Sequence, residues 1–176
     1  YEMQTLSAGQ KNQVLLQCAE TLIAEQEKIL SANKKDMQNA VEKGMPQGLQ
    51  DRLRLNGARI EGMAEGLRQI AGLPDPVGEV MEQFDRPNGL HIEKCRVPIG
   101  VIGIIYEARP NVTADAFGLC FKTGNVAILK GGSETKHTNK ILFSLIAQSA
   151  AKSDLPENCL YQAEQRDEIS ELLSCH

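Results

Sequence analysis

Aromatic residues are scarce in this 176-residue chain, which has no tryptophan, three tyrosines and four phenylalanines. Proteins that bind single-stranded nucleic acids stack the bases on aromatic side chains, so such platforms are not expected here. Basic residues are not in excess either, because 19 lysines and arginines stand against 23 aspartates and glutamates, a formal net charge of −4. Nucleic-acid interfaces usually need a basic stripe. We therefore expect no nucleic-acid partner.

Long hydrophobic runs are also missing. The strongly apolar run from Ile99 to Tyr106 is far shorter than the roughly 20 residues that a membrane-spanning helix needs. No charged-then-apolar leader opens the chain, so a secretion signal is not expected. We predict a cytoplasmic protein with no membrane partner. The chain begins at Tyr1 rather than methionine, and we expect it to be a piece of a longer protein.

The chain lacks the cysteine and histidine spacings of disulfide scaffolds and zinc sites. Its five cysteines are odd in number and no two are spaced C-x-x-C, which fits a reducing compartment. The three histidines are scattered, and the neighbouring Cys175 and His176 are poorly arranged to aim both side chains at one ion. We expect no metal. Each cysteine is more typical of a small buried hydrophobic residue than of a nucleophile.

Helical periodicity dominates residues 1–75, which we predict to be a helical segment packed on the rest of the chain. Ser7 precedes one amphipathic stripe and is a plausible N-cap. Asn56 precedes a second stripe, which ends at Gly72. We interpret the polar run at 31–36 as a break or restart between helices.

The pattern changes after residue 76. Two loosely alternating runs, 80–84 and 90–97, flank the turn-forming sequence RPNG, which predicts a β-hairpin element over 76–97. Residues 99–105 form a continuous apolar run, typical of a strand buried on both faces of a parallel sheet. Helices and strands then alternate, which predicts a doubly wound α/β sheet over 98–176. The predicted elements are a helix over 113–122, a strand over 126–129, a helix around 141–146, a strand over 156–161 and a helix over 167–173.

One candidate binding loop follows the predicted strand at 126–129, since ligands of open parallel sheets bind beyond the carboxyl ends of the strands. Lys130 supplies a charge there, and Gly131 and Gly132 would allow the backbone to approach a ligand closely. Ser133 adds a hydroxyl, and the positive end of the next helix would favour an anion or a ribose hydroxyl. The alternative is an ordinary Gly-Gly-Ser turn beside a solvated lysine. Neither G-x-G-x-x-G nor a P-loop sequence is present.

Another candidate loop, 106–113, follows the apolar run. Because it comes earlier in the chain, we call it the first loop and the loop that begins at Lys130 the second loop. Arg109 has a planar guanidinium that suits a phosphate or carboxylate, or alternatively an ion pair with Glu107 or Asp115. Asn111 is suited either to donate to a developing oxyanion or to cap the following helix.

At these two loops the chain becomes recognisable. The sequences VPIGVIGIIYEARPNVT at 97–113 and KTGNVAILKGGSE at 122–134 closely resemble the γ-glutamyl phosphate reductase family, a branch of the aldehyde dehydrogenase superfamily. The resemblance covers nearly the whole chain and implies an N-terminal portion with an aldehyde-dehydrogenase-like, Rossmann-type sheet that binds NADP. Further matches are DRLRLN at 51–56, LPDPVGE at 73–79 and RPNGL at 86–90.

The resemblance implies NADPH-dependent reduction of L-glutamyl 5-phosphate to L-glutamate 5-semialdehyde, with release of phosphate, in proline biosynthesis. In that family a cysteine thiolate displaces phosphate, and hydride transfer then releases the aldehyde. The family's nucleophilic cysteine lies in a separate catalytic domain, in a context that none of the five cysteines here resembles. We therefore expect both to be absent from this chain, which alone would be inactive. The family's hairpin element implies a homo-oligomer for the full-length protein.

The resemblance also assigns cofactor-binding residues. Lys130 corresponds to the superfamily lysine that contacts the adenosine ribose or its 2′-phosphate. Ser133 and Glu134 correspond to the Ser-Glu of the same pattern when one residue is inserted, and Gly131 and Gly132 lie between.

The loop after the apolar run corresponds to the superfamily loop beside the nicotinamide. Ile105 and Tyr106 begin this loop and are implied to contact the cofactor. The asparagine of the superfamily loop, which helps to hold the thioacyl oxyanion, falls on Arg109 without gaps and on Asn111 with a shift. Two alternatives stay open: a non-catalytic nucleotide-binding or scaffold module of the same fold, and another acylating aldehyde dehydrogenase.

Overall fold

A computed structural model describes residues 2–152, 159–163, 167–168, 170 and 174. A short 3₁₀ turn over Glu2–Thr5 and four helices come first, then an antiparallel hairpin, then an α/β unit that opens on a strand. The helices are α1 (Ala8–Ala24), α2 (Gln26–Glu42), α3 (Gln47–Leu53), α4 (Gly57–Gly72), α5 (Asn111–Lys122) and α6 (Lys136–Ala151). The strands are β1 (Val80–Asp85), β2 (His91–Cys95), β3 (Val101–Ile105), β4 (Val126–Lys130) and β5 (Leu160–Gln162).

The predicted helix starts are confirmed. The Ser7 hydroxyl accepts from the amide of Gln10, and the Gln10 side chain accepts from the amide of Ser7, a reciprocal capping box for α1. The Asn56 side chain accepts from the amide of Arg59 at 2.8 Å and so caps α4.

The predicted break at 31–36 is wrong, because α2 is continuous through it. Two polar residues of this run, Asn33 and Asp36, are buried against other elements. The Asn33 amide donates to the carbonyl of Leu53 at 2.9 Å and accepts from the amide of Leu55 at 2.8 Å. Asparagine and aspartate often mark helix ends because their side chains hydrogen-bond to nearby backbone groups in place of the helix. Here their side chains bond to groups of distant segments instead, so the helix continues.

The predicted hairpin is confirmed. β1 and β2 pair antiparallel, and the amide of Arg86 donates to the carbonyl of Leu90 at 2.9 Å across the turn. Gly89 has a φ of 85°, a left-handed conformation that glycine adopts without steric cost.

The second sheet is parallel, with strand order β3-β4-β5. Ile102 pairs with Ala127 and Ile104 with Leu129, and these residues face the helices. Val101 and Ile105 point to the other side and are 60% and 65% exposed. The prediction of a strand buried on both faces is therefore wrong for the part of the chain that the structure describes, since its helices cover one face of β3.

The helical segment packs directly on the α/β unit through α5 and α6. A side chain at Gly118 of α5 would come within 2.9 Å of Leu67 and Ile70 of α4, so the two helices approach closely. The buried Lys122 donates to the carbonyl of Ala71 at 3.0 Å. These contacts give one shared core, while the predicted domain boundaries stay a prediction.

The described helices include none that is both long and apolar enough to cross a membrane. The predicted strand over 156–161 is confirmed at its end, where β5 begins at Leu160. Residues 156–158 of the predicted strand and most of the predicted helix over 167–173 lie outside the described residues.

Candidate functional site

The two candidate loops lie side by side at the carboxyl edge of the parallel sheet, as the sequence predicts. Ile105 is in register with Lys130, and the amide of Tyr106 donates to the carbonyl of Lys130 at 3.0 Å. The structure therefore brings together the predicted residues of the first loop and the lysine of the second.

A buried chain of hydrogen bonds links the loops further. The Thr113 hydroxyl donates to Asn139 Oδ1 at 3.2 Å, and Asn139 Nδ2 donates to Thr135 Oγ1 at 2.7 Å. Thr135 in turn donates to the carbonyl of Gly132 at 3.0 Å. Because the Thr113 proton is already used, the Tyr106 hydroxyl is the donor in its 2.7 Å bond to Thr113. Burial raises the pKa of Tyr106, which keeps this donor protonated.

Sequence reasoning missed this network. Thr113, Thr135 and Asn139 are all buried, although polar residues next to helix starts are usually exposed caps. The signal in the sequence was the four-residue spacing of Thr135 and Asn139, which puts them on one helical face.

Gly131 is required by packing within the chain, whereas a side chain at Gly132 would collide only with the end of the flexible, exposed Glu134 side chain. A side chain at Gly131 would collide with the buried amide of Asn139, and one at Gly132 would collide with the Glu134 carboxylate and lie 3.5 Å from the Glu107 backbone. The sequence predicts that these glycines let the backbone approach a ligand closely. That contact with a ligand stays a prediction.

The amino terminus of α6 is occupied by a side chain of α2. The Asp36 carboxylate accepts from the amides of His137 and Thr138 at 3.1 and 2.7 Å and from the Thr138 hydroxyl at 2.6 Å. The expectation that this helix offers its positive end to a ligand is therefore wrong, since a buried anion already compensates it.

A cavity of about 350 Å³ opens beside the second loop. Lys130, Lys136 and Lys140 line it together with Ser133, and no carboxylate side chain is among its described lining residues. Lys130 Nζ also donates to the carbonyl of Gly131 at 3.3 Å. Sequence reasoning missed Lys136 and Lys140, whose i, i+4 spacing at the start of α6 was the available signal. Glu134 lines a neighbouring cavity instead.

A second cavity, of about 540 Å³, lies between the helical segment and the first loop. Arg109, Asn111 and Asp115 line it opposite Arg52 of α3. The alternative ion pairs that the sequence offers for Arg109 are not observed. Its guanidinium pairs with neither Glu107 nor Asp115.

Asn111 is the first residue of α5 rather than its cap. Its side-chain amide donates to the Asp115 carboxylate at 3.1 Å. Burial raises the pKa of Asp115, and the hydrogen bond from Asn111 opposes that rise. The predicted oxyanion role of Asn111 stays a prediction, since its side-chain amide has a second N–H besides the one donated to Asp115.

The described cysteines are poor nucleophiles where they are buried. Cys18, Cys120 and Cys159 are buried, and burial raises the pKa of each thiol, that of Cys18 to about 12. Cys95 is exposed on β2, and Cys175 lies outside the described residues. Among the residues described, no group of three or more potential ligands could hold a metal ion.

Comparison with known proteins gives consistent matches, although no protein-family model matches the chain. The γ-glutamyl phosphate reductase of Halothermothrix orenii is 54% identical over 157 residues, which cover 89% of this chain and 38% of the relative. The crystal structure of γ-glutamyl phosphate reductase from Thermotoga maritima aligns with a TM-score of 0.93 at 39% identity, over 97% of this chain and 42% of that one. The chain thus spans about two fifths of the length of these relatives.

A more distant structure bears on the fold alone. Rhodopseudomonas palustris propionaldehyde dehydrogenase aligns with a TM-score of 0.62 at 18% identity, over 99% of this chain and 37% of that one. The predicted aldehyde-dehydrogenase-like fold and the predicted family resemblance are both confirmed.

Proposed function

We propose that this chain, which by sequence and fold belongs with the γ-glutamyl phosphate reductase family, forms the cofactor-binding part of such a reductase. The reaction is the NADPH-dependent reduction of L-glutamyl 5-phosphate to L-glutamate 5-semialdehyde, with release of phosphate. The observation that carries the cofactor assignment is the cavity lined by Lys130, Lys136 and Lys140 at the carboxyl edge of the parallel sheet. Ligands of such sheets bind at this edge.

The three lysines favour NADPH over NADH. The two cofactors differ by a 2′-phosphate, and an ammonium group is a strong partner for a phosphate dianion. Lys130 contacts the ribose or its 2′-phosphate in this proposal, and Lys136 and Lys140 add positive charge from one face of α6. Ser133 and the backbone of Gly131 and Gly132 complete the site, with Glu134 beside it.

The first loop holds the nicotinamide end of the cofactor, which supplies the hydride when bound. Ile105 and Tyr106 carry this role, and the hydrogen-bond chain from Tyr106 to Gly132 fixes the loop against the lysine loop. Arg109 and Asn111 lie on the far side of the same loop, towards the substrate.

The rest of the enzyme completes the site in this proposal. The nucleophilic cysteine comes from a part of the protein outside this chain, and the full-length protein is a cytoplasmic homo-oligomer. The hairpin is the assembly element, since Val80, Met81, Phe84 and Leu90 expose apolar side chains there.

Binding of NADPH and of NADH to the purified chain tests the cofactor assignment. We expect tighter binding of NADPH, and we expect Lys130→Ala to weaken it about tenfold, the effect of one lost charged contact. Lys136→Ala should weaken NADPH binding in the same way and leave NADH binding nearly unchanged. Isothermal titration calorimetry with each nucleotide measures these affinities for the unsubstituted chain and the two variants.

Lys35→Ala is the matched control, because Lys35 is an exposed lysine on α2 that does not line the cavity. Unchanged NADPH affinity in Lys130→Ala, with the control also unchanged, would remove the cofactor assignment. A folded chain that binds neither nucleotide would favour the scaffold alternative.

A further inference from the structure

Two arginines that line the cavity beside the first loop have no partner among the residues that the structure describes. Arg52, at the end of α3, and Arg109, in the loop after β3, both line the cavity of about 540 Å³ and a smaller adjoining one of about 190 Å³. Neither guanidinium has a hydrogen bond or an ion pair to any described residue. An arginine side chain has five N–H donors. Two arginines that line one cavity with these donors unused make a strong anion-binding arrangement.

The backbone that carries Arg52 is held in place by a third arginine. Arg59 donates to the carbonyl of Arg54 at 2.6 Å and pairs with the Asp51 carboxylate at 3.3 Å, besides binding the carbonyl of Asp51. The end of α3 therefore accepts hydrogen bonds from the Arg59 guanidinium, which makes Arg59 less available to a ligand than Arg52 and Arg109. The contacts of Arg59 fix the residues on both sides of Arg52 while leaving that side chain free.

The backbone that carries Arg109 is fixed as well. Its two neighbours, Ala108 and Pro110, are buried, whereas Arg109 itself is exposed. The amide of Val112 donates to the carbonyl of Arg109 at 3.1 Å at the start of α5. Both arginines thus project from anchored backbone, which lowers the entropy cost of binding a ligand between them.

The same cavity also contains a negative group. Asp115, one turn into α5, is partly buried and accepts one hydrogen bond from Asn111 at 3.1 Å. A carboxylate has lone pairs for several donors, so Asp115 can accept from a ligand as well. Arg59 and Asp51 also line the cavity, but they are paired with each other. The guanidinium groups of Arg52 and Arg109 and the carboxylate of Asp115 remain to face a ligand, a charge pattern complementary to the carboxylate and ammonium of an α-amino acid.

We propose that Arg52 and Arg109 bind the α-carboxylate of the amino-acid substrate and that Asp115 receives its α-ammonium group. This inference rests on the proposed function, because it assigns the substrate end of the same site. A cavity of this volume is large enough for an amino acid. The pair distinguishes an amino-acid substrate from a simple acyl chain, since an acyl chain would leave both guanidinium groups unpaired.

Titration of the isotopically labelled chain with L-glutamate and with glutarate tests the site. Glutarate has the two carboxylates of glutamate and no ammonium group. We expect L-glutamate to shift the backbone signals of Arg52, Arg109 and Asp115 and to bind more tightly than glutarate. Arg52→Gln and Arg109→Gln should each weaken L-glutamate binding about tenfold, and Asp115→Asn should abolish the preference over glutarate.

Two controls separate this inference from the cofactor proposal. Arg86→Gln removes an arginine of the hairpin, whose guanidinium lies 5.0 Å from the Phe84 ring, and should leave L-glutamate binding unchanged. Titration with NADPH should give the same affinity in the Arg52 and Arg109 variants as in the unsubstituted chain. Loss of NADPH binding throughout, with L-glutamate binding intact, would remove the cofactor proposal alone.

Three results would overturn the inference. The first is unchanged L-glutamate affinity in both arginine variants, with folding verified by circular dichroism. The second is the absence of any shift of the three residues up to about 50 mM L-glutamate, well above the millimolar range of weak specific binding. The third is stronger binding of inorganic phosphate than of L-glutamate at the same residues, which would assign the cavity to the phosphoryl end of the substrate.

Discussion

Individual buried polar residues connect the helical segment to the α/β unit, and Asp36 illustrates how. Its carboxylate lies on α2, yet it accepts three hydrogen bonds from His137 and Thr138 at the start of α6. Thr135 is the N-cap residue of α6, but its side chain makes no capping hydrogen bond. Its hydroxyl takes part in the loop network instead. A residue from a distant helix has therefore taken over the capping of α6.

Replacing Asp36 should destabilise the chain strongly. Asp36→Ala leaves buried donors of α6 unsatisfied, and we expect a loss of about 3 kcal/mol in the free energy of unfolding. Asp36→Asn keeps one acceptor oxygen and should lose about half as much. Urea unfolding followed by circular dichroism measures both.

Glu27→Ala is the control for Asp36, because Glu27 is an exposed acidic residue in the first turn of the same helix. Glu27→Ala should lower the free energy of unfolding by no more than about 0.5 kcal/mol. An Asp36→Ala variant no less stable than this control would show that the three bonds contribute nothing net.

The stability of the hairpin should depend on pH through His91. His91 at the start of β2 lies 2.7 Å from the Asp85 carboxylate and 3.3 Å from that of Glu93, and these hydrogen bonds raise its pKa. The folded hairpin therefore binds the proton more tightly than the unfolded chain does. This contribution is complete below the ordinary histidine pKa of about 6.5 and is lost as the pH rises through the raised value.

An NMR titration of the His91 ring checks this dependence. We expect its pKa to lie above that of the same histidine in urea, and Asp85→Asn to move it back towards the unfolded value. The protection factors of the β1 and β2 amides, which correct for the intrinsic rise of exchange with pH, should fall between about pH 6 and pH 8 in the unsubstituted chain. A pKa that does not change in Asp85→Asn would contradict the assignment of Asp85 as the main partner.

The elements themselves were largely predictable. The caps at Ser7 and Asn56, the turn at 86–89 and the order of strands and helices follow from local signals that act over a few residues. The error at 31–36 has the same origin, because Asn33 and Asp36 carry a local signal for a helix end. The partners that satisfy them, Leu55 and Thr138, are 22 and 102 residues away.

At the scale of the whole molecule, one side of strand β3 is open to solvent in the part of the chain that the structure describes. Ile99, Val101 and Ile105 are exposed in the described part of the chain, and β3 lies at the edge of its sheet. Exposed apolar strand edges pair readily with other chains. We therefore expect the isolated chain to self-associate through this face.

Polar substitutions on the open face test that expectation. The double substitution Ile99→Thr with Val101→Thr keeps β-branched residues and removes apolar surface, so it should raise the soluble monomer concentration several-fold without lowering stability. Ile102→Thr is the matched control, because Ile102 lies in the same strand and packs towards the core, and it should destabilise the chain. Light scattering with size-exclusion chromatography reads out association, and unchanged association in the double variant would rule out this face.

The sequence by itself determined the α/β class, the hairpin, the family resemblance and the loops that hold the candidate site, because each depends on short-range patterns or on recognisable motifs. Only the tertiary structure decided what the polar residues of those loops do. It assigned Gly131 to making room for Asn139, compensated the start of α6 with Asp36, gathered three lysines at one cavity and left Arg52 and Arg109 facing another. These outcomes depend on contacts between residues far apart in the chain, because such contacts decide whether a polar side chain is used within the core or lines a cavity.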